Sequence, residues 1–234
     1  MLEQNLNEEI LAKGTIEKVV PFVMCGKRKI GLYEVSLKYK NKNYCALWRA
    51  KKLETQISRS IPHRTQYLRE NAFFQVAKFF GIYHIPLITI RKIGRYVGSL
   101  QLMIGDGKRR TIGEVKAHLK SADSKVINRL AFLDFVCGNL DRHYGNILIN
   151  DNKIWLIDNG LSFGSTDDNP RFNDYRNQVI RQFVNQASLP ETLKELSSKI
   201  SKGNFNGLIS NLSKLLSQKE ILYFKKRLND LFKL

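Results

Sequence analysis

The stretch from Ser124 to Gly160 constrains the fold more than any other part of the chain. SKVINRLAFLDFVCGNL (124–140) is strongly apolar and reads as one helix at the centre of a core. A dense polar cluster follows at once, Asn139-Leu140-Asp141-Arg142-His143-Tyr144-Gly145-Asn146. Two short apolar runs come next, ILIN and KIWLID, and the second leads into Asp158-Asn159-Gly160. Runs of this length bounded by turn residues read as short buried strands. A polar cluster between buried elements is costly unless partners or a cation satisfy it.

The flanking sequence divides into two parts. Residues 1–13 read as an amphipathic helix ending at Gly14, followed by the β-like runs TIEKVVPFVM, IGLYEVSLKY and YCALWRA, the last two joined by a hairpin turn at KNKN. A helix starts after Pro62, carries apolar residues at Leu68, Phe73, Val76, Phe79 and Phe80, and stops at Gly81. IPLITIRKI and YVGSLQLMI form two more strands around Gly94-Arg95. After the turn-like GDGKRR (105–110) the pattern becomes helical, first in TIGEVKAHLKS and later near 171–187, 190–202, 206–216 and 217–233. The expectation is a β-rich lobe, a hinge near 105 and a mainly helical lobe, with a ligand cleft between them.

Phosphoryl transfer is chemistry that needs the central cluster. It takes one carboxylate to orient the attacking hydroxyl, and an amide oxygen plus a second carboxylate to hold Mg²⁺ on the phosphates. Protein kinases place the catalytic Asp five positions before the metal-binding Asn, with a further Asp on the next hairpin. Asp141 and Asn146 are five apart, and Asp158 follows Asn146 by twelve. Such hard oxygen donors suit Mg²⁺ better than zinc. Taken singly, Asn, Asp and Gly are also ordinary turn residues; the joint spacing behind an apolar helix is what favours the catalytic reading. Cys25, Cys45 and Cys137 are an odd, scattered set, so neither a disulfide framework nor a cysteine zinc site is expected. His63, His84 and His118 lack ligand spacing and read as structural.

LAFLDFVCGNLDRHYGNILIN and KIWLIDNGLSF resemble the catalytic segment of the phosphatidylinositol 3/4-kinase-like superfamily. The DRHxxN part is similar to its phosphatidylinositol 3-kinases and 4-kinases generally. IDNGLSF is more similar to the type II 4-kinases and their bacterial relatives, small effector kinases among them. YVGSLQLMI (96–104) resembles a GSxQxF strand that leads into the hinge, and RENAFFQVAKFFGIYHIP (69–86) resembles the αC helix with its following loop. Together these cover residues 44–164. The resemblance implies an α+β, two-lobed protein-kinase-like fold, with a small antiparallel-sheet N-lobe and αC-like helix over 1–104 and a mainly α catalytic C-lobe over 105–234. It implies that Asp141 orients or deprotonates the acceptor hydroxyl, that His143 assists, that Asn146 and Asp158 hold Mg²⁺, and that Glu70 pairs with a phosphate-binding lysine on the third strand. At that lysine's place in YCALWRAKK stands Arg49. Lys51 lies two positions on, on the same side of an extended strand, and Lys52 follows. All three remain open as the clamp on the ATP phosphates, since a guanidinium also forks onto phosphate oxygens. Gly26-Lys27-Arg28-Lys29-Ile30-Gly31 sits where a kinase places its phosphate-covering loop, or is a plain basic hairpin tip.

The expected activity is ATP- and Mg²⁺-dependent phosphorylation of a hydroxyl, with a protein Ser/Thr acceptor favoured. Asp167 and Asp168 precede the first arginine, Arg171, after Gly160, which disfavours an anionic head group. A net charge of +18 and Lys225-Lys226-Arg227 on the last helix point the other way, toward a phosphoinositide at an anionic membrane. A nucleic-acid partner is not expected. A pseudokinase or a basic binding module is the reading from another class. No apolar run reaches the ~18 residues of a membrane span, and MLEQNLNEEILAKG is not a signal peptide. A cytoplasmic location, or delivery into a host cell as a bacterial effector, is the corresponding expectation.

Overall fold

Alternating apolar positions between residues 15 and 102 fold into one antiparallel sheet. In this computed structural model, residues 2–24, 27–54, 61–105, 110–164 and 179–232 are described, with backbone alone at 2–7, 24 and 27–30. Cys25, Gly26 and the segment carrying Asp167, Asp168 and Arg171 lie outside them, as do the side chains of Lys27, Arg28, Lys29 and Ile30. After α1 (Leu2–Lys13) come β1 (Thr15–Met24), β2 (Lys27–Tyr39), β3 (Lys42–Ala50), α2 (Gln66–Phe80), β4 (Ile88–Ile93) and β5 (Tyr96–Leu102). The strand order is β1-β2-β3-β5-β4. The β2–β3 turn falls on Lys40 and Asn41, both at positive φ (47° and 60°). Two such residues make the two-residue turn that matches strand twist, so β3 starts at Lys42, two residues earlier than the sequence pattern indicates.

The second part holds α3 (Ile112–Ser121), α4 (Ser124–Val136), the hairpin β6 (Ile147–Asn150) and β7 (Lys153–Leu156), then α5 (Leu189–Lys202), α6 (Phe205–Leu212) and α7 (Gln218–Phe232). This is the expected α+β, two-lobed kinase-like architecture. Two helices are shorter than the apolar pattern suggests. α4 ends at Val136 rather than Leu140, because Gly138 turns left-handed at φ +57° and the Asn139 amide folds back onto the Asp134 carbonyl (2.9 Å). α6 stops at Leu212. Of the segment expected to be helical over 171–187, the described portion, 179–187, holds a short 3-10 turn, Val179–Phe183, followed by non-helical chain.

A single apolar cluster runs through both lobes. Its aromatic seam ties α2 to the helical lobe: Phe80 meets Phe132 of α4 edge-on at 4.9 Å, Phe79 meets Phe205 of α6 at 5.9 Å, and Phe132 meets Phe232 of α7 at 5.6 Å. Such ring pairs contribute about 0.5–1.5 kcal/mol each beyond their burial. The loop after α2 is also anchored, since the His84 carbonyl accepts from the Leu156 amide (2.8 Å) and His84 Nδ1 contacts the Ile154 carbonyl oxygen (2.7 Å). Among the described residues no helix is long and apolar enough to cross a membrane.

Candidate active site

The floor of the cleft between the lobes is organised by one guanidinium. Asp134 sits inside α4 and Arg142 eight residues further on, and both are fully buried. Arg142 Nε donates to Asp134 Oδ2 (2.9 Å) and Nη2 donates to Oδ1 (3.0 Å), a two-pronged ion pair. Nη1 donates to the carbonyls of Asn146 and Ile157, each at 2.8 Å, and Nη2 also donates to Asn159 Oδ1. A guanidinium has five N–H groups, and all five are matched here. The result pins two backbone arms to α4, one ending at Asn146 and the other at Asp158.

Short-range bonds then shape the first arm. Asn139 Oδ1 accepts from the Asp141 amide (2.9 Å), and the His143 amide donates to the Asp141 carbonyl (3.0 Å). Asn146 Nδ2 donates to both the carbonyl (2.9 Å) and Oδ2 (3.3 Å) of Asp141. Both amide hydrogens of Asn146 therefore face Asp141, and Oδ1 is the atom it offers a cation. His143 Nδ1 accepts from the Gly145 amide (3.0 Å), so a neutral ring carries its proton on Nε2, 3.9 Å from Asp141 Oδ2. On the second arm Asp158 stands at φ +55° with 46% of its side chain exposed to the cleft.

The roof comes from the sheet and α2. Arg49 on β3 places Nε 3.2 Å from Glu70 Oε1 and donates from Nη2 to Asp158 Oδ1 at 2.8 Å. It thus joins the sheet, α2 and the floor. The Asp158 carboxylate, aided by Glu70 and opposed by burial, pushes the Arg49 guanidinium above its ordinary value. Glu70 is buried, and Ser99 Oγ of β5 donates to its other oxygen (3.0 Å). Burial, opposed chiefly by Arg49, raises the Glu70 carboxyl above the usual range. Ser99 reaches Glu70 because β5 closes tightly on β3 at Gly98, where a Cβ would sit only 2.0 Å from the Arg49 carbonyl oxygen. Glu54, buried and just beyond β3, accepts from the Gln66 (2.9 Å) and Tyr67 (2.7 Å) amides and so caps the start of α2.

The structure therefore brings Asp141, His143, Asn146, Asp158, Arg49 and Glu70 to one cleft, and it places Lys51 and Lys52 elsewhere. β3 ends at Ala50, and Lys51 begins a 3-10 turn (Lys51–Leu53), so the strand alternation that would align residue 51 with residue 49 does not continue. The Lys51 ammonium lies 5.8 Å from the centre of the Tyr67 ring and that of Lys52 lies 5.2 Å from the centre of Tyr96.

Among the described residues no three His, Cys, Asp or Glu side chains gather closely enough to hold a metal by themselves. Mg²⁺ is commonly held by one or two carboxylates with substrate phosphates completing its shell. An amide oxygen on Asn146 and the half-exposed Asp158 carboxylate fit that role rather than a protein-only cage. Sequence reading left Arg142, Asp134, Asn159, Ser99 and Glu54 without roles. A signal existed for Asp134, a lone carboxylate inside the apolar LAFLDFV. None marked Glu54.

No family model matches the chain, and no curated protein matches its sequence. Solved structures do match its fold. The crystal structure of a Helicobacter pylori proinflammatory kinase, CtkA, superposes with a TM-score of 0.55 at 13% identity, covering 94% of this chain and 92% of that one. The Golgi casein kinase superposes with a TM-score of 0.52 at 15% identity, covering 99% and 75%. Its form with Mn/ADP bound gives 0.51 at 15% identity, with the same coverage. At these identities the likeness is one of fold.

Proposed function

We propose that this chain is an ATP- and Mg²⁺-dependent kinase that transfers the γ-phosphoryl group to a hydroxyl, with a protein Ser/Thr side chain as the acceptor. The observation that carries this reading is the convergence of Asp141, Asn146 and Asp158 on the floor beneath the Arg49–Glu70 pair, in a fold shared with kinases. The Mn/ADP bound to one of those kinases supports a divalent cation and a nucleotide here. The DRHxxN and IDNGLSF motifs support a nearer kinship with the phosphatidylinositol 3/4-kinase-like superfamily.

In this mechanism Asn146 Oδ1 and the Asp158 carboxylate are the groups that would hold Mg²⁺, which would supply charge neutralisation for the phosphates. Arg49 clamps the phosphate oxygens and is itself aimed by Glu70 and Ser99. Asp141 accepts the hydrogen bond of the acceptor hydroxyl and takes its proton, with His143 Nε2 beside it. The chain contributes positioning and charge placement, and no covalent enzyme intermediate is required. Arg227 bears on the acceptor. It is buried and donates to the Val136 carbonyl (2.9 Å), so the Lys225-Lys226-Arg227 stretch presents two surface cations rather than three. That weakens the case for an anionic membrane and favours protein.

The experiment is incubation with γ-labelled ATP and Mg²⁺, with cell lysate and phosphoinositide vesicles as separate acceptors. Label entering a protein band with the wild type and not with Asp158→Ala is expected. Label in lipid alone would make the acceptor a phosphoinositide. Absence of label together with no ATP/Mg²⁺ thermal shift would overturn the kinase reading, because a ligand of the folded state must raise its melting temperature.

Glu70 adds a pH dependence. Its raised carboxyl must be ionised to hold Arg49, so kcat/KM for ATP falls as pH drops through a pKa above the ordinary 4.5. Stability moves the other way. In that window the folded protein binds more protons than the unfolded chain, so the Glu70 contribution to stability declines as pH rises. Glu70→Gln should remove both trends. An acid limb at or below the ordinary value, unchanged in Glu70→Gln, would refute this assignment.

A further inference from the structure

We infer that α7 sets the position of α2: Glu220, acting through Arg69, seats the helix where Glu70 meets Arg49, which makes Arg69 and Glu220 positioning residues for the nucleotide site. The functional consequence rests on the kinase reading above.

Arg69 immediately precedes Glu70 on α2, so whatever fixes one fixes the other. Its side chain is 1% exposed and pairs with Glu220 Oε1 on α7, whose side chain is 4% exposed. Arg69 Nη1 also donates to the Thr65 carbonyl (3.2 Å) and to Thr65 Oγ1, in the turn that opens α2. Glu220 is held in turn. Its second oxygen accepts from the Ser217 amide and from Ser217 Oγ, both at 2.8 Å, while Ser217 Oγ accepts from the Glu220 amide (3.4 Å). This is a capping box at the head of α7, and it leaves the carboxylate little freedom to follow Arg69 if α2 shifts.

A buried ion pair is weak evidence of stabilisation, and positioning is the role assigned to this one here. Breaking it leaves an uncompensated charge in the interior, whereas an apolar pair of the same volume can be as stable. The Phe79–Phe205 and Phe80–Phe132 contacts hold the last turn of α2 against the helical lobe. The Arg69–Glu220 pair adds a directional contact at its first turn, and Glu54 at the start of α2 acts in the same sense. Among the described elements α2 is therefore tied to the helical lobe at its first turn by an ion pair and at its end by the His84 loop. The sheet meets it through Ser99 and Arg49 on the side of Glu70 and through the Ile88 carbonyl of β4, which accepts from Asn71 Nδ2 (3.4 Å).

The test is a double-mutant cycle on ATP turnover, measured well below the melting temperature of each variant. Arg69→Met should lower kcat/KM for ATP by about tenfold, the size of coupling typical within one ion-pair network. In a Glu70→Gln background the same substitution should cost little more, because its effect passes through Glu70. If Arg69→Met costs the same factor in both backgrounds, or only lowers the melting temperature, the inference is overturned. Should Arg69→Met fail to fold, Glu220→Gln takes its place in the cycle, since glutamine keeps the capping box and loses the charge. Amide hydrogen exchange provides a readout independent of activity. Glu220→Gln should speed exchange in α2 relative to α4, and equal rates would sink the proposal. A wild type that turns over no ATP while showing this exchange difference would remove the kinase reading and leave the α7–α2 clamp standing.

Discussion

Arg142→Met is expected to cost about 3–5 kcal/mol of folding stability, the range seen when one member of a buried ion pair is removed. Asp134 would be left as a buried carboxylate without its fork, and the carbonyls of Asn146 and Ile157 would lose the donor they share. Native domains have only about 5–15 kcal/mol to lose, so the variant should sit near its unfolding transition at room temperature. The urea midpoint is the measurement. Arg142→Lys should recover little of the loss, because an ammonium with three donors cannot reach the five acceptor oxygens that the guanidinium's fixed geometry matches. A midpoint shift equivalent to less than about 1 kcal/mol, the scale of a surface contact, would mean that the two arms are held by something other than Arg142.

Asp141→Asn is expected to lower kcat by about 10²–10⁴-fold, the usual contribution of a positioned general base, with the KM for ATP unchanged. Asparagine keeps the shape of the side chain and an oxygen for Asn146 Nδ2, and the loop is fixed mainly through the backbone of Asp141, so the nucleotide site stays assembled. What is lost is the ability to take the hydroxyl proton. Single-turnover kinetics at saturating ATP isolate that step. A raised KM with kcat intact would instead place Asp141 among the nucleotide contacts.

Much of this architecture is legible in the sequence, for reasons that differ from place to place. Helix α4 is visible because burial on several faces demands an apolar run, and the half-buried hairpin β6–β7 because its two short apolar runs are bounded by turn residues. The spacing of Asp141, Asn146 and Asp158 is visible because local backbone geometry holds them. Arg49 and Lys51 could not be separated, because the choice depends on where β3 ends, and the 3-10 turn at Lys51 has no apolar period to announce it. Arg69 and Arg227 look like surface cations in charged stretches. Their burial follows from partners 151 and 91 residues away, and nothing within a local window encodes such distances. The apolar pattern runs past the end of α4 for a related reason, since Gly138 interrupts the helix without interrupting the burial.

The separation between Arg69 and Glu220 also sets an order in time. During synthesis at about 5–20 residues per second, Arg69 emerges roughly eight to thirty seconds before the carboxylate that seats it, 151 residues on. For that interval Arg69 has no counter-charge from α7, and closing so long a loop is entropically slow. The nucleotide cleft is thus completed by late-arriving chain, and a product that stops short of α7 would carry every residue of the floor and roof without the ion pair that seats α2 between them.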